Sequence, residues 1–227
     1  MVTLLWILSL AALGLTFWAQ FRVKGTFRKW AKEPATSGLT GAEVARRILD
    51  SNGLHDVAVE PVPGELTDHY DPIHRVVRLS EPVYYDSSIA AISVAAHECG
   101  HAIQHKEAYG ALVLRHRMFP VVNFASSVAP FLLMGGIFLQ MMNLFALGVV
   151  FFSAAVAFQL VTLPVEFNAS SRAKQIMVRD GYIRNLEERG VSKVLNAAAL
   201  TYVASALYAL LELFRFVAML VVSQNDD

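Results

Sequence analysis

Four stretches of this chain are long, apolar and almost free of charge: Val2 to Gln20, Phe119 to Leu139, Leu144 to Val165 and Ala197 to Val222. Each is close to the roughly 20 residues that carry a helix across a bilayer. Inside hydrocarbon every backbone N–H and C=O needs a partner within its own segment, so such stretches can only be helices here. Four of them in 227 residues predict a mainly α, multi-pass membrane protein. Charged residues are 17% of the chain, hydrophobic residues 55%, and the mean hydropathy is +0.45. A charged share below the usual quarter excludes a disordered chain and argues against a purely water-soluble one. Zero formal net charge offers no basic field for nucleic acid. The single cysteine, Cys99, excludes an intrachain disulfide and fits a reducing compartment.

The first stretch reads as a retained anchor. A cleaved signal peptide wants basic residues before its apolar run, whereas Arg22, Lys24, Arg28, Lys29 and Lys32 follow it here. The second and third stretches are separated only by residues 140–143, which predicts a tight transmembrane hairpin. Pro130 and Gly135-Gly136 are tolerated in such helices. The fourth stretch carries Glu212 and Arg215, three apart on one helical face. They read as a mutually neutralised pair facing the bundle, although ionisable groups inside a membrane also invite a functional reading. Residues 22–118 and 166–193 hold 18 of the 19 basic residues, Arg215 being the other. The positive-inside rule places both segments in the cytoplasm and both termini outside. The tail after Val222 holds no basic residue and ends in Asp226-Asp227.

Residues 33–118 form the main water-facing part. Glu33-Pro34 to Gly38 is a linker. Thr40-x-x-Glu43 is a capping box that opens a helix to about Ser51, stopped by Asn52-Gly53. Val57 to Val62 and His74 to Ser80 read as two strands, together a short β-hairpin, with Pro63-Gly64 as a turn and Pro82 as a stop. Asp86 or Ser87 can cap a further helix to about Glu107. Its apolar part, Ile89 to Ala96, is too short to cross a bilayer.

That helix contains His97-Glu98-Cys99-Gly100-His101, an H-E-x-x-H pattern. Positions i and i+4 face the same way on a helix, so both imidazoles can hold one Zn²⁺ per chain. Glu98, beside the first ligand, can serve as general base to water and then as acid to a leaving amine. A catalytic zinc keeps three protein ligands and one open position. His105 lies roughly 12 Å along the axis from His97, too far to share the metal. The third ligand must come from elsewhere, and Glu166, closing the third stretch at the predicted cytoplasmic face, is the best candidate. Glu187 and Glu188 are its rivals. Residues 166–193 are read as a cytoplasmic helical segment carrying it.

On Leu39-Thr40-Gly41, Asp68-His69-Tyr70-Asp71-Pro72, Leu79-Ser80, Ala96 to Gln104 and Pro164-Val165-Glu166-Phe167, the sequence resembles the YugP-like neutral zinc metallopeptidases of bacterial membranes. More distantly it is similar to HtpX and the CAAX prenyl proteases. The resemblance covers most of the chain. It implies His97, His101 and Glu166 as metal ligands and Glu98 as catalytic acid and base, in a small α+β zincin-like domain of gluzincin type. It also implies a multi-pass protein of the bacterial inner (plasma) membrane, with its active site toward the cytoplasm and peptides or membrane proteins as substrates. The relatives follow the ligand glutamate, four residues on, with an aspartate that orients a histidine. Ser170 stands there in this chain. Ser170, Asn168, Asp68 or Asp71 could orient a histidine instead.

The leading expectation is a membrane zinc metalloendopeptidase that works by a zinc-activated water. Arg172, Tyr182 and His69 are candidate oxyanion donors. The strand containing Val76, Val77 and Arg78 is the candidate substrate edge, by main-chain pairing. Two other readings compete. An intramembrane site-2-type protease would set H-E-x-x-H in a membrane-length run, but Asp86, Ser87 and Ser88 open this helix and Lys106 and Glu107 end it. A non-enzymatic adaptor or chaperone with structural zinc would want a fourth protein ligand. Cys99 lies about 200° around the helix from either histidine and points away. The topology makes a direct prediction: in a cysteine-free background, single cysteines placed within 24–117 are shielded from an impermeant thiol reagent added to intact cells. Labelling of those positions from outside would invert the orientation.

Overall fold

The computed structural model describes residues 2–184 and 186–225, so Asp226 and Asp227 lie outside the described residues. In chain order the elements are α1 (Val2–Trp30), α2 (Gly41–Ser51), β1 (Ala58–Val62), β2 (His69–Asp71), β3 (Val76–Ser80), α3 (Glu81–Tyr84), α4 (Ile89–Lys106), α5 (Gly110–Phe138), α6 (Met142–Arg179) and α7 (Glu188–Asn225). Four of these, α1, α5, α6 and α7, are long and apolar enough to cross a membrane. All four outrun the apolar stretches that identify them. The run expected to stop at Val165 continues as unbroken helix to Arg179, because backbone hydrogen bonding persists where the side chains turn polar.

The chain divides into two compact units. One comprises the residues up to Ala19, Val113–Leu163 and those from Thr201 onward. Within it α5 and α6 approach through glycines: a Cβ on Gly136 would lie 2.5 Å from the Phe145 nitrogen, and one on Gly148 2.8 Å from the Leu133 nitrogen. Small residues let membrane helices close in this way. Leu133, Phe145 and Val149 form the buried centre there, with Phe152 and Phe216 against it. Glu212 and Arg215 are hydrogen-bonded to each other and buried. The Arg215 guanidinium also stacks 3.7 Å from the Trp6 ring centre, a cation–π contact that further offsets its removal from water.

The other unit, Gln20–Leu112 with Pro164–Leu200, holds the sheet. The capping box forms in full: the Thr40 hydroxyl accepts from the Glu43 N–H, and the Glu43 carboxylate accepts from the Thr40 N–H at 2.8 Å. Gly53 then ends α2 in the left-handed region, at φ +64°. Strand order is β1-β3-β2. β1 runs parallel to β3, from Ala58 against Val76 to Val62 against Ser80. The hairpin partner of β3 is instead β2, antiparallel, with His69 opposite Arg78. Asp71 shapes that turn, accepting from the Ile73 and His74 N–H groups. His74 and Arg75 thus belong to the turn, and Arg75 has φ +53°.

This order corrects one expectation. β3 is the central strand, with β1 on one side over its whole length and β2 on the other over Val76 to Arg78. The main chain at Val76, Val77 and Arg78 is therefore already engaged, and the edges are β1 and β2. The helix bearing the histidines is capped by Ser88, whose hydroxyl accepts from the Ala91 N–H, rather than by Asp86 or Ser87. α2 packs Val44, Ile48 and Leu49 into a core with Val77 and Leu79 of β3, Ile92, Ala96 and Cys99 of α4, and Ala173 and Met177 of α6. Loss of the cap should be visible in this unit. Thr40→Ala is expected to lower the Tm in detergent by about 2–4 °C, and Thr40→Ser to restore it.

Candidate metal centre

α4 presents His97 and His101 on one face, one turn apart, with rings at 85° to each other. α6 brings Glu166 to them. The Glu166 Oε2 lies 3.3 Å from His97 Nε2 and 3.6 Å from His101 Nε2. All three ligand atoms lie within 4.8 Å of one another. A tetrahedral ion with bonds of about 2.0–2.1 Å separates its ligand atoms by about 3.3–3.4 Å. The donor set, two imidazoles and one carboxylate, is one that Zn²⁺ takes in catalytic sites. The residues present therefore fit a single zinc ion.

The approach of the two helices depends on Gly100. A Cβ there would sit 2.8 Å from the Ala169 carbonyl oxygen and 3.2 Å from the Ala169 Cα. Neither backbone could yield without moving the ligands. Gly100 was visible as the small residue inside H-E-x-x-H, but nothing local in the sequence marked the helix it would meet.

Each histidine is held through its other nitrogen. His97 Nδ1 lies 3.1 Å from the Ser170 hydroxyl. His101 Nδ1 lies 3.0 Å from the Gln104 Oε1. Asn168 acts one step further out, accepting from the Gln104 amide at 2.9 Å. Sequence reasoning missed Gln104: His101 is only three residues away, but the Val165 and Asn168 groups that orient its amide are more than 60 residues away. Asp68 and Asp71 serve the sheet instead. Asp68 accepts from the Ser80 N–H at 2.7 Å and from its hydroxyl. Burial pushes the Asp68 carboxyl up to about 6 against those hydrogen bonds, and the charge of Glu98 adds to the rise. Glu98 itself is buried between the two ligands in sequence.

The remaining candidates are placed as follows. His105 Nδ1 meets the Tyr70 hydroxyl at 2.9 Å, joining β2 to α4. The Glu187 carboxylate accepts from the Thr36 and Arg184 N–H groups, and Glu188 pairs with Lys174. Cys99 is buried with Sγ toward the Ala45 carbonyl, and burial pushes its thiol up. Tyr182 lies in the same apolar core as Cys99. Arg172 is tied to Asn168 and Glu107. His69 is exposed on edge strand β2 and gives its Nδ1–H to the Thr67 carbonyl. With its one N–H so used, the neutral ring has none left at Nε2 to donate.

Two histidines of the H-E-x-x-H helix and a glutamate of α6 make a candidate metal-binding triad, in a chain with four described helices long and apolar enough to cross a membrane. The chain belongs to the family described as "Putative neutral zinc metallopeptidase", whose model matches residues 5–221. It is 68% identical over 220 residues to the "Putative membrane protease YugP" of Bacillus subtilis (strain 168), covering 97% of this chain and 98% of that protein. No solved structure matches the chain. The close helix approach makes its own prediction. Gly100→Ala should cost about 1–3 kcal/mol of stability by overpacking and leave less than one zinc per chain after gel filtration. Gly110→Ala, where a Cβ meets nothing within 4 Å, should change neither.

Proposed function

We propose that this protein is a membrane-bound zinc metalloendopeptidase of gluzincin type, hydrolysing peptide bonds at the cytoplasmic face of the bacterial inner membrane. The observation that carries this reading is the convergence of His97, His101 and Glu166 around one point, with Glu98 next to the first ligand. Three protein ligands leave a position open, as catalytic zinc sites do and closed structural sites do not. When bound, Zn²⁺ supplies a Lewis acid that polarises a carbonyl and lowers the pKa of water. Glu98 takes the proton of the attacking water and returns it to the leaving amine. Its burial shields that proton from bulk solvent.

The substrate is an extended segment of a peptide or membrane protein. With β3 paired on both sides, β1 and β2 are the edges, and β2 is the one hydrogen-bonded to the ligand helix. The Tyr70–His105 hydrogen bond fixes that edge to the ligand helix, and a strand added to β2 would use main-chain hydrogen bonds for affinity. The basic residues of 22–118 and 166–193 support a cytoplasmic site.

Cleavage of casein by detergent-purified protein, with zinc counted, tests the reading. Wild type is expected to cut with one zinc per chain. Glu98→Gln is expected to keep the zinc and lose about 10²–10⁴-fold in kcat. Undiminished cleavage by Glu98→Gln would remove the general base. Zinc in both with cleavage by neither would favour a non-enzymatic zinc-bearing membrane module.

A further inference from the structure

We propose that Gln104 is the positioning residue that fixes the metal-binding tautomer of His101, and that Asn168 and Arg172 hold Gln104 in the required orientation. The inference rests on the zinc reading above and adds the residues that prepare one ligand for the metal. Gln104 is fully buried, an uncommon place for a primary amide. Its Nε2 donates to the Val165 carbonyl at 2.8 Å and to the Asn168 Oδ1 at 2.9 Å. A backbone carbonyl can only accept, so this end of the amide must be the nitrogen. The oxygen then faces His101 Nδ1 at 3.0 Å. An amide oxygen cannot donate, so His101 must carry its proton on Nδ1. In the neutral ring its Nε2, the atom turned toward Glu166, is then the one with a lone pair for a metal.

The polarity is set again from the other end. The Arg172 Nε donates to the same Asn168 Oδ1 at 2.7 Å. Arginine has no acceptor, so the Asn168 oxygen must face both donors. Glu107 holds the guanidinium through Nη2 at 2.7 Å. From Glu107 through Arg172, Asn168 and Gln104 to His101, each hydrogen bond thus has only one possible donor. His97 differs, because the Ser170 hydroxyl both donates and accepts and imposes no tautomer.

Zinc affinity, measured on the full chain in detergent by competition with a chromophoric chelator, tests the assignment. Gln104→Leu is expected to weaken binding about 10–100-fold. Asn168→Leu should also weaken it, while Asn168→Asp, which keeps an oxygen for both donors, stays within about threefold of wild type. The two Asn168 variants decide the matter if Gln104→Leu does not fold. A second readout is the long-range ¹H–¹⁵N spectrum of histidine-labelled protein, with the His101 ring assigned by its loss in His101→Gln. It should show a protonated Nδ1 in wild type and a mixture of tautomers in Gln104→Leu. Wild-type affinity or an unchanged ring spectrum in Gln104→Leu would overturn the proposal. If the wild type itself bound no zinc, the metallopeptidase reading would fail, and the ring spectrum alone would still decide the role of Gln104.

Discussion

The metal centre depends on how close two backbones can come. The candidate site takes His97 and His101 from α4 and Glu166 from α6, and the three meet where the two helices come close. The contact of Gly100 with the Ala169 backbone is where that happens. Adding one methyl at Gly100 would meet a main-chain oxygen, which cannot swing aside as a flexible side chain can. The same proximity lets Gln104 reach Val165 and Asn168 and lets Ser170 reach His97. The polar contacts around the ligands therefore follow from one steric permission rather than existing side by side with it.

Burying so many polar groups is tolerable only because they satisfy one another. An unmatched buried amide or carboxylate carries a desolvation penalty that a single hydrogen bond offsets only in part. Here Gln104 uses both its oxygen and its nitrogen, and Asn168 accepts twice. The membrane-length helices solve the same problem more sparingly, with Glu212 and Arg215 paired and the guanidinium laid on Trp6. Polar pairing in both units is local to the group being buried, as a low dielectric demands.

What could be read from the sequence was set by range. The capping box, the stop at Asn52-Gly53, the H-E-x-x-H helix and the four apolar helices depend on residues within a few turns of one another. Glu166 stood out as a candidate because it is the first charged residue after an apolar run of membrane length. β2 was not legible: three residues carry no periodicity, and His69 to Asp71 are a strand only because β3 lies beside them. The sheet order was hidden for the same reason, so the strand with the strongest β preference, Val76 to Ser80, was taken for an edge when pairing makes it the centre. Helix ends were underestimated because hydropathy marks where lipid-like side chains stop, not where the backbone stops being helical. Gln104 was overlooked because the groups that receive its amide nitrogen, on Val165 and Asn168, lie on another helix, although its i−3 spacing to His101 could have been read.

The ligands come from two stretches of one compact unit that are interrupted by Val113–Leu163. During synthesis His97 and His101 leave the ribosome well before Glu166. Until Glu166 arrives, the two histidines have no carboxylate partner and no fixed third point for a metal. A nascent or truncated chain that ends before α6 is thus an incomplete metal site by construction. The candidate site cannot be complete until the intervening helical hairpin, Val113–Leu163, has been built.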